Sequence, residues 1–152
     1  MSRISLSDQG ASPWERLLGH TPTILQQWIA LEEAFFSSGT FSPELREQVR
    51  RTLAWGNGCA YCMAKSGRPD EHQADPRISL AVGCAEIFAQ NPQDMDESVF
   101  DLLKTEFSEA EISELFAFMS FLSASQRFGA ALGLESRETY EHVNTNGGAN
   151  LA

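Results

Sequence analysis

The sequence has little cysteine, little positive charge and no long uninterrupted run of apolar residues. Its three cysteines, two of them in one C-x-x-C motif, are too few and too clustered for the disulfide framework of a small secreted domain. Charged residues interrupt every apolar stretch before the roughly 18 residues that a membrane span requires. Residues 1–8 also lack the pattern of a secretory signal. We therefore expect a cytoplasmic protein that does not insert into membranes.

Basic residues are outnumbered, with 11 Lys and Arg against 21 Asp and Glu and a formal net charge of -10. Non-specific binding to nucleic acid phosphates or to anionic lipid depends on Lys and Arg, because both of these surfaces are negatively charged. The composition therefore predicts that neither nucleic acid nor a membrane surface is a partner.

The sequence does contain clear helix-start signals. A capping residue followed by proline, the combination favoured at the start of a helix, occurs at Ser12-Pro13, Thr21-Pro22, Ser42-Pro43 and Asp75-Pro76. Capping-box spacing joins Ser12 to Glu15 and Ser108 to Glu111. Apolar residues recur at helical spacing, as in Ile24, Trp28, Leu31 and Phe35, and no segment shows the sustained alternation of a strand.

These signals predict an all-α fold, a single-domain bundle of about six or seven helices. The predicted helices cover residues 13–18, 22–37, 43–55, 60–67, 76–90, 97–104 and 109–131, with a Gly56-Asn57-Gly58 turn before the fourth. The domain is predicted to span residues 1–134, and the polar residues 135–152 are predicted to form a flexible tail.

Two further segments carry structural expectations. Residues 68–74 include no large apolar side chain, so we expect them to form an exposed connection. The last helix carries phenylalanine around most of its circumference, which fits either the centre of the bundle or a subunit interface. We expect a homo-oligomer.

The Cys59-Ala60-Tyr61-Cys62 motif opens the predicted fourth helix. Three-residue spacing on a helix puts both sulfurs on one face, close enough to form a disulfide. The free amides of a helix start, together with Lys65, favour the thiolate, which is the reactive form of cysteine. In a reducing compartment this spacing indicates either redox chemistry or metal binding.

The Gly-Asn-Gly turn also predicts which residues lie near the thiols. It permits a sharp reversal that returns the cysteine helix antiparallel to helix 43–55. Residues near 66–69 then lie beside Glu47 and Arg50, with Cys62 one helical turn nearer the bend. Glu47 is therefore predicted to reach the vicinity of the cysteine pair.

Glu47 upstream of the C-x-x-C motif resembles the alkylhydroperoxidase D-like branch of the carboxymuconolactone decarboxylase family. The similar stretches are residues 45–49, 57–62 and 127–133, and the resemblance covers roughly residues 20–134. It implies an all-helical antioxidant enzyme in which Cys62 attacks a hydroperoxide and Cys59 resolves the product. By the same resemblance no haem, flavin or metal takes part, and an external dithiol, such as a lipoyl-bearing protein, reduces the pair again.

In chemical terms, a Cys62 thiolate would become a sulfenic acid, with which Cys59 condenses to a disulfide. The family motif continues as C-x-x-C-x-x-x-H, whereas this chain has Ser66 at the histidine position. A hydroxyl cannot relay protons near neutral pH as an imidazole does. Three alternatives follow: Glu47 acts through Ser66 and a water, another histidine such as His72 substitutes, or thiol–disulfide exchange is the activity.

Two alternatives of other classes concern the same residues. A structural zinc site would use Cys59, Cys62, His72 and Cys84, but the spacing matches no compact zinc finger and Cys84 falls within a helix, where we expect a buried thiol. A non-catalytic interaction scaffold of the same fold is the other alternative. Trp14, Trp28 and Trp55 are interpreted as core or interface aromatics.

Overall fold

A computed structural model describes residues 1–136, and within them the chain is all-α, with seven α-helices and no strand. The helices are α1 (Pro13–Leu18), α2 (Pro22–Ser37), α3 (Pro43–Gly56), α4 (Ala60–Ser66), α5 (Pro76–Gln90), α6 (Glu97–Leu103) and α7 (Glu109–Ala131). A 3-10 helix, Pro92–Asp94, lies between α5 and α6. The all-α prediction is confirmed. Of the tail predicted to be flexible, residues 137–152 lie outside the described residues.

The capping signals explain why the helices begin where they do. The side chains of Ser12, Ser42 and Asp75 each accept a hydrogen bond from a backbone amide in the first turn that follows. At α7 the capping box is complete, since Ser108 and Glu111 each accept from the other's backbone amide. Thr21 differs, because its hydroxyl donates backwards to the carbonyl of Leu18 at 3.0 Å and caps nothing in α2.

The main core lies between α3, α5 and α7, and α7 contributes several of its aromatic rings. Its phenylalanines contact rings from several directions: Phe118 and Phe121 contact Phe35, while Phe116 contacts Phe88 and Phe100. Phe118 and Phe121 are buried within this one chain. Phe118 and Phe121 of α7 thus belong to the core of the bundle, and the subunit interface stays a prediction.

A second, smaller cluster holds the cysteine pair. Cys59 and Tyr61 pack there with Leu17 and Leu134, and Trp14 is among the side chains that cover them. The cysteine pair thus lies in a hydrophobic cluster separate from the main core.

The inward face of α2 differs from the predicted one. Ile24 and Leu31 are 53% and 48% exposed, whereas Leu25 is 5% exposed and buried. Trp28 and Phe35 of the predicted stripe do pack against the main core, and the Trp28 indole N–H donates to Ser125 Oγ at 3.1 Å. The true face is therefore rotated from the predicted stripe toward Leu25 and Ile29, since 3.6 residues make one turn.

Residues 68–74 are mostly exposed, as expected, but a buried side chain fastens them to α3. Gln48 donates to Asp70 Oδ2 at 2.7 Å and accepts from the Asp70 amide at 2.9 Å and from Gln73 Nε2 at 3.0 Å. A polar anchor thus replaces the apolar anchor that the segment lacks.

Two observations complete the description. Among residues 1–136 no helix is long and apolar enough to cross a membrane. Trp55 is 40% exposed, so it is not a core residue of this chain. Its indole donates to the Gly67 carbonyl at 3.1 Å and carries the Arg68 guanidinium over its ring at 4.2 Å.

Candidate redox site

The cysteine pair forms at the turn between α3 and α4. Gly58 has a φ of +64°, a conformation that favours glycine, and Cys59 then serves as the N-cap of α4. Cys59 and Cys62 are joined by a disulfide, with their Cα atoms 5.2 Å apart. The Cys62 amide also points at Cys59 Sγ at 3.3 Å. The sequence-predicted pair is therefore brought together as a disulfide.

The two cysteines differ in their access to solvent. Cys59 is 0% exposed, and it lies in the smaller cluster against which Trp14 packs. A side chain at Gly129 of α7 would begin 3.3 Å from the Trp14 ring and 3.6 Å from Cys59 Sγ, so glycine there keeps α7 close to the buried sulfur. Cys62 is partly exposed and lines a pocket.

This pocket has a volume of about 140 Å³, and its lining is divided between apolar and polar side chains. The apolar lining consists of Trp14, Trp28, Ile29, Tyr61 and Leu122. Ser125 fixes two of these walls, since its carbonyl accepts from the Trp14 indole at 2.8 Å and its hydroxyl from the Trp28 indole. Two indoles held by Ser125 thus form part of the wall of the pocket that Cys62 lines.

Charged side chains complete the lining of the pocket: Glu15, Glu32, Arg50 and Lys65. They come from four different helices, α1, α2, α3 and α4. Two cations and two carboxylates therefore share the pocket that Cys62 faces.

Glu47 lies on the other side of Arg50 from this pocket. Arg50 donates to both Glu47 carboxylate oxygens, at 2.9 and 2.8 Å, and Arg51 donates to one of them at 2.9 Å. Partial burial raises the pKa of Glu47, but the hydrogen bonds from the two arginines outweigh it and the pKa is lowered overall. A carboxylate held in its charged form in this way is a weak proton acceptor.

Ser66 is buried, and its hydroxyl accepts a hydrogen bond from Arg50 Nη1. The predicted proximity of residues 66–69 to Arg50 is thus present. However, Arg50 lies between Ser66 and Glu47 and bridges them, and neither residue is among those that line the Cys62 pocket. The described geometry includes no direct Glu47–Ser66 relay toward Cys62.

The remaining candidate ligands and relays lie elsewhere. His72 lines a different cavity, with Asp70 and Glu86. Cys84 is buried in the main core, and this burial raises the pKa of its thiol to about 12. Among residues 1–136 no three His, Cys, Asp or Glu side chains come together as a metal site. The four ligands of the zinc alternative are therefore not assembled.

Sequence reasoning missed how the Gly-Asn-Gly turn is attached to α7. Asn57 donates to Gln126 Oε1 at 3.0 Å and accepts from Arg127 Nε at 2.9 Å, and buried Gln126 donates to the Arg50 carbonyl at 3.1 Å. Asn57 was informative in the sequence only as a turn residue, since side-chain pairing between distant helices has no periodic signal.

Glu32 was also not identified from the sequence as a residue that lines the pocket. Glu32 lies four residues after Trp28 and three after Ile29, so its side chain lies on the same side of α2 as theirs and lines the pocket, although Glu32 is exposed. The spacing of Glu32 from Trp28 and Ile29 is visible in the sequence. However, a helix whose inward face runs through Ile24 and Leu31 would direct Glu32 toward solvent, so Glu32 was not predicted to line a pocket.

The chain matches no protein-family model and no curated protein sequence.

Proposed function

We propose that this chain is a thiol-dependent hydroperoxide reductase of the alkylhydroperoxidase D-like type. The observation that carries the proposal is the asymmetry of the pair: Cys59 is fully buried, while Cys62 faces a pocket large enough for a small molecule. This arrangement favours Cys62 as the attacking thiol and Cys59 as the resolving thiol.

The proposed reaction converts two thiols and one hydroperoxide into a disulfide, an alcohol and water. The Cys62 thiolate attacks the distal peroxide oxygen, the O–O bond breaks, and the alcohol leaves. The Cys59 thiol then attacks the sulfur of the Cys62 sulfenic acid and releases water. The product is the disulfide described above.

Turnover requires an external reductant, which we propose to be a dithiol or a lipoyl-bearing protein. Two electrons from the dithiol return both cysteines to thiols by exchange at the accessible Cys62 sulfur. Such a cycle fits a reducing compartment such as the cytoplasm, and we retain a homo-oligomer as part of the proposal.

The pocket lining indicates the class of substrate. Because Trp14, Trp28, Ile29 and Leu122 contribute apolar surface, burial of an organic group is favoured there over binding of hydrogen peroxide alone. We therefore propose organic hydroperoxides as the preferred substrates.

A second candidate is thiol–disulfide exchange without efficient peroxide turnover. It is favoured by one observation: Glu47 and Ser66 are both occupied by Arg50, so the expected proton relay is not assembled. Exchange at Cys62 needs only an accessible sulfur and the adjacent Cys59.

Thiol titration separates these functions. The reduced protein is mixed with one equivalent of cumene hydroperoxide, and we expect rapid loss of the Cys59 and Cys62 thiols while Cys84 stays reduced. Cys62→Ser should react no faster than a small free thiol, and Cys59→Ser should accumulate a sulfenic acid that dimedone traps at Cys62. Cys84→Ser is the matched control and should behave as the wild type.

The result that contradicts a peroxidase is equally definite. If wild-type thiols react with the hydroperoxide no faster than a free-thiol control, the peroxidase proposal is wrong. Rapid reduction of oxidised lipoamide or of a disulfide reagent by the same protein would then establish the exchange function.

A further inference from the structure

The Cys62 pocket contains a carboxyl group to which the resemblance assigns no role. Glu32 enters the pocket from α2, on the same helix face as Trp28 and Ile29, whose side chains also line it. Glu47 and Ser66 are not among the lining residues. Glu32 is therefore better placed than the expected relay to exchange a proton with a molecule in the pocket.

We propose that Glu32 is the proton-transfer group of this pocket, accepting the proton of the Cys62 thiol and returning it to the alkoxide that leaves the hydroperoxide. This inference rests on the proposed peroxidase function. It supplies the proton-transfer step that has no assigned residue, because Ser66 stands where the family motif has histidine.

One proton moves from the Cys62 thiol to Glu32 and then from Glu32 to the departing alkoxide. The Glu32 carboxylate takes the proton from the Cys62 thiol, which gives a thiolate and a carboxylic acid. The thiolate attacks the distal oxygen, forming an S–O bond as the O–O bond breaks and an alkoxide departs. Protonated Glu32 donates to that alkoxide, so an alcohol leaves and the carboxylate is restored.

The electrostatic surroundings of Glu32 suit this role. Its side chain is exposed at the rim, but the pocket walls still desolvate its carboxylate, and this burial is the main reason that its pKa is raised. Lys65 on α4 and Arg50 on α3 lower the pKa, whereas Glu15 on α1 and the neighbouring Glu33 raise it. The net upward shift brings the carboxyl closer to the neutral range, where it can both accept and donate a proton.

The test compares Glu32→Gln with Glu33→Gln in the reduced full-length protein. Glu33 is the adjacent carboxylate on α2 and is not among the pocket-lining residues, so its substitution controls for the change in charge and for effects on the helix. The second-order rate of Cys62 oxidation by cumene hydroperoxide is measured across the pH range. Alkylation of Cys62 by iodoacetamide is followed over the same pH values.

We expect a bell-shaped profile for the wild type and for Glu33→Gln, because the reactive state carries one proton shared by Cys62 and Glu32. Glu32→Gln should lose about 100-fold at the optimum, the lower end for acid–base catalysis, and its rate should rise once with pH. Its alkylation midpoint should also move to lower pH, because a neighbouring negative charge is gone. Glu32→Asp should recover part of the rate and the bell shape.

Two results would overturn the inference, and they are distinct from failure of the proposed function. A Glu32→Gln profile that stays bell-shaped with an unchanged rate would show that another group transfers the proton. An equal loss of rate in Glu33→Gln would mean that charge on α2, rather than a carboxyl in the pocket, is what matters. If the wild type itself does not react with the hydroperoxide, the peroxidase proposal fails, but a shifted alkylation midpoint in Glu32→Gln alone would still establish that Glu32 and Cys62 are coupled.

Discussion

Three cysteines in this chain occupy three different chemical environments. Cys59 is fully buried in the smaller cluster, Cys62 faces the pocket, and Cys84 is buried in the main core. Reactivity follows the accessibility and thiolate fraction of each sulfur. In the proposed reaction Cys59 is the resolving thiol and Cys62 the attacking thiol, while the buried Cys84 is a packing group.

Alkylation can verify this ranking. With a pKa of about 12, the Cys84 thiol is only about 10⁻⁴ ionised at pH 8, and its side chain is buried as well. When the reduced native protein is treated with iodoacetamide and digested for mass spectrometry, we expect modification at Cys62 and none at Cys84. In urea all three cysteines should react. Native labelling of Cys84 as rapid as that of Cys62 would contradict the assignment.

At the level of single residues, the sequence predicted identities better than partners. The cysteine pair and its turn were identifiable because C-x-x-C spacing and Gly-Asn-Gly are local features. The Arg50 bridge between Glu47 and Ser66 joins two helices through side chains, and the spacing of residues along the chain does not specify which way a guanidinium turns. The predicted vicinity was right for Ser66 and Arg50, while the role given to Glu47 stays a prediction.

At the level of helices, close packing of α3 and α5 depends on glycine at the end of α3. A Cβ atom at Gly56 would lie 2.4 Å from the Cβ of Ala89, so the helices would have to move apart. We expect Gly56→Ala to lower the free energy of unfolding by about 1–3 kcal/mol, the usual cost of overpacking, as measured by urea denaturation.

Gly83 is the matched control for this substitution, since it lies within α5 and a Cβ there meets nothing within 4 Å. Gly83→Ala should raise the free energy of unfolding by about 0.5–1 kcal/mol, because alanine is the better helix former. Equal stabilisation by both substitutions would show that α3 and α5 are not packed as described.

Helix positions were predictable to within about a residue, whereas helix rotation was not always predictable. Caps and prolines mark the starts of α1, α3, α5 and α7 in the sequence itself. The facing side of α2 depends on what α7 offers it, in particular Ser125 as the acceptor for Trp28. Apolar residues occur on both sides of α2, so the stripe read from periodicity included the inward Trp28 and Phe35 but also the exposed Ile24 and Leu31.

For the whole molecule, the pH dependence of stability should have two parts of opposite sign. A hydrogen bond from the Ser98 side chain lowers the pKa of Asp96, and one from the Ser108 amide lowers the pKa of Glu111. The pKa of Glu47 is lowered as well, because the hydrogen bonds from its two arginines outweigh the effect of burial. Such carboxylates stabilise the fold above their unfolded pKa values, and this stabilisation is lost as the pH falls through their lower folded values. Glu32 has a raised pKa, so it adds stability as the pH falls from its folded value toward 4.5.

We therefore expect the thermal midpoint to rise on acidification from neutral pH toward about 5, and to fall below about 4. The net charge of -10 becomes smaller as the pH falls, and the repulsion between like charges weakens. Between neutral pH and about 5, this change and the protonation of Glu32 both raise the thermal midpoint. Calorimetry across this range measures the effect, and Glu32→Gln should show a smaller rise than the wild type. A midpoint that falls continuously from pH 7 would contradict this balance.

The smaller cluster gives the molecule a built-in optical property. Trp14 packs against the cluster that holds Cys59, and its ring and the Cys59 sulfur both lie beside Gly129 of α7. Disulfides quench indole emission at contact distance, whereas thiols do so less strongly. The emission of Trp14 is consequently expected to brighten as the pair is reduced, so that the protein would report its own oxidation state in real time without a label.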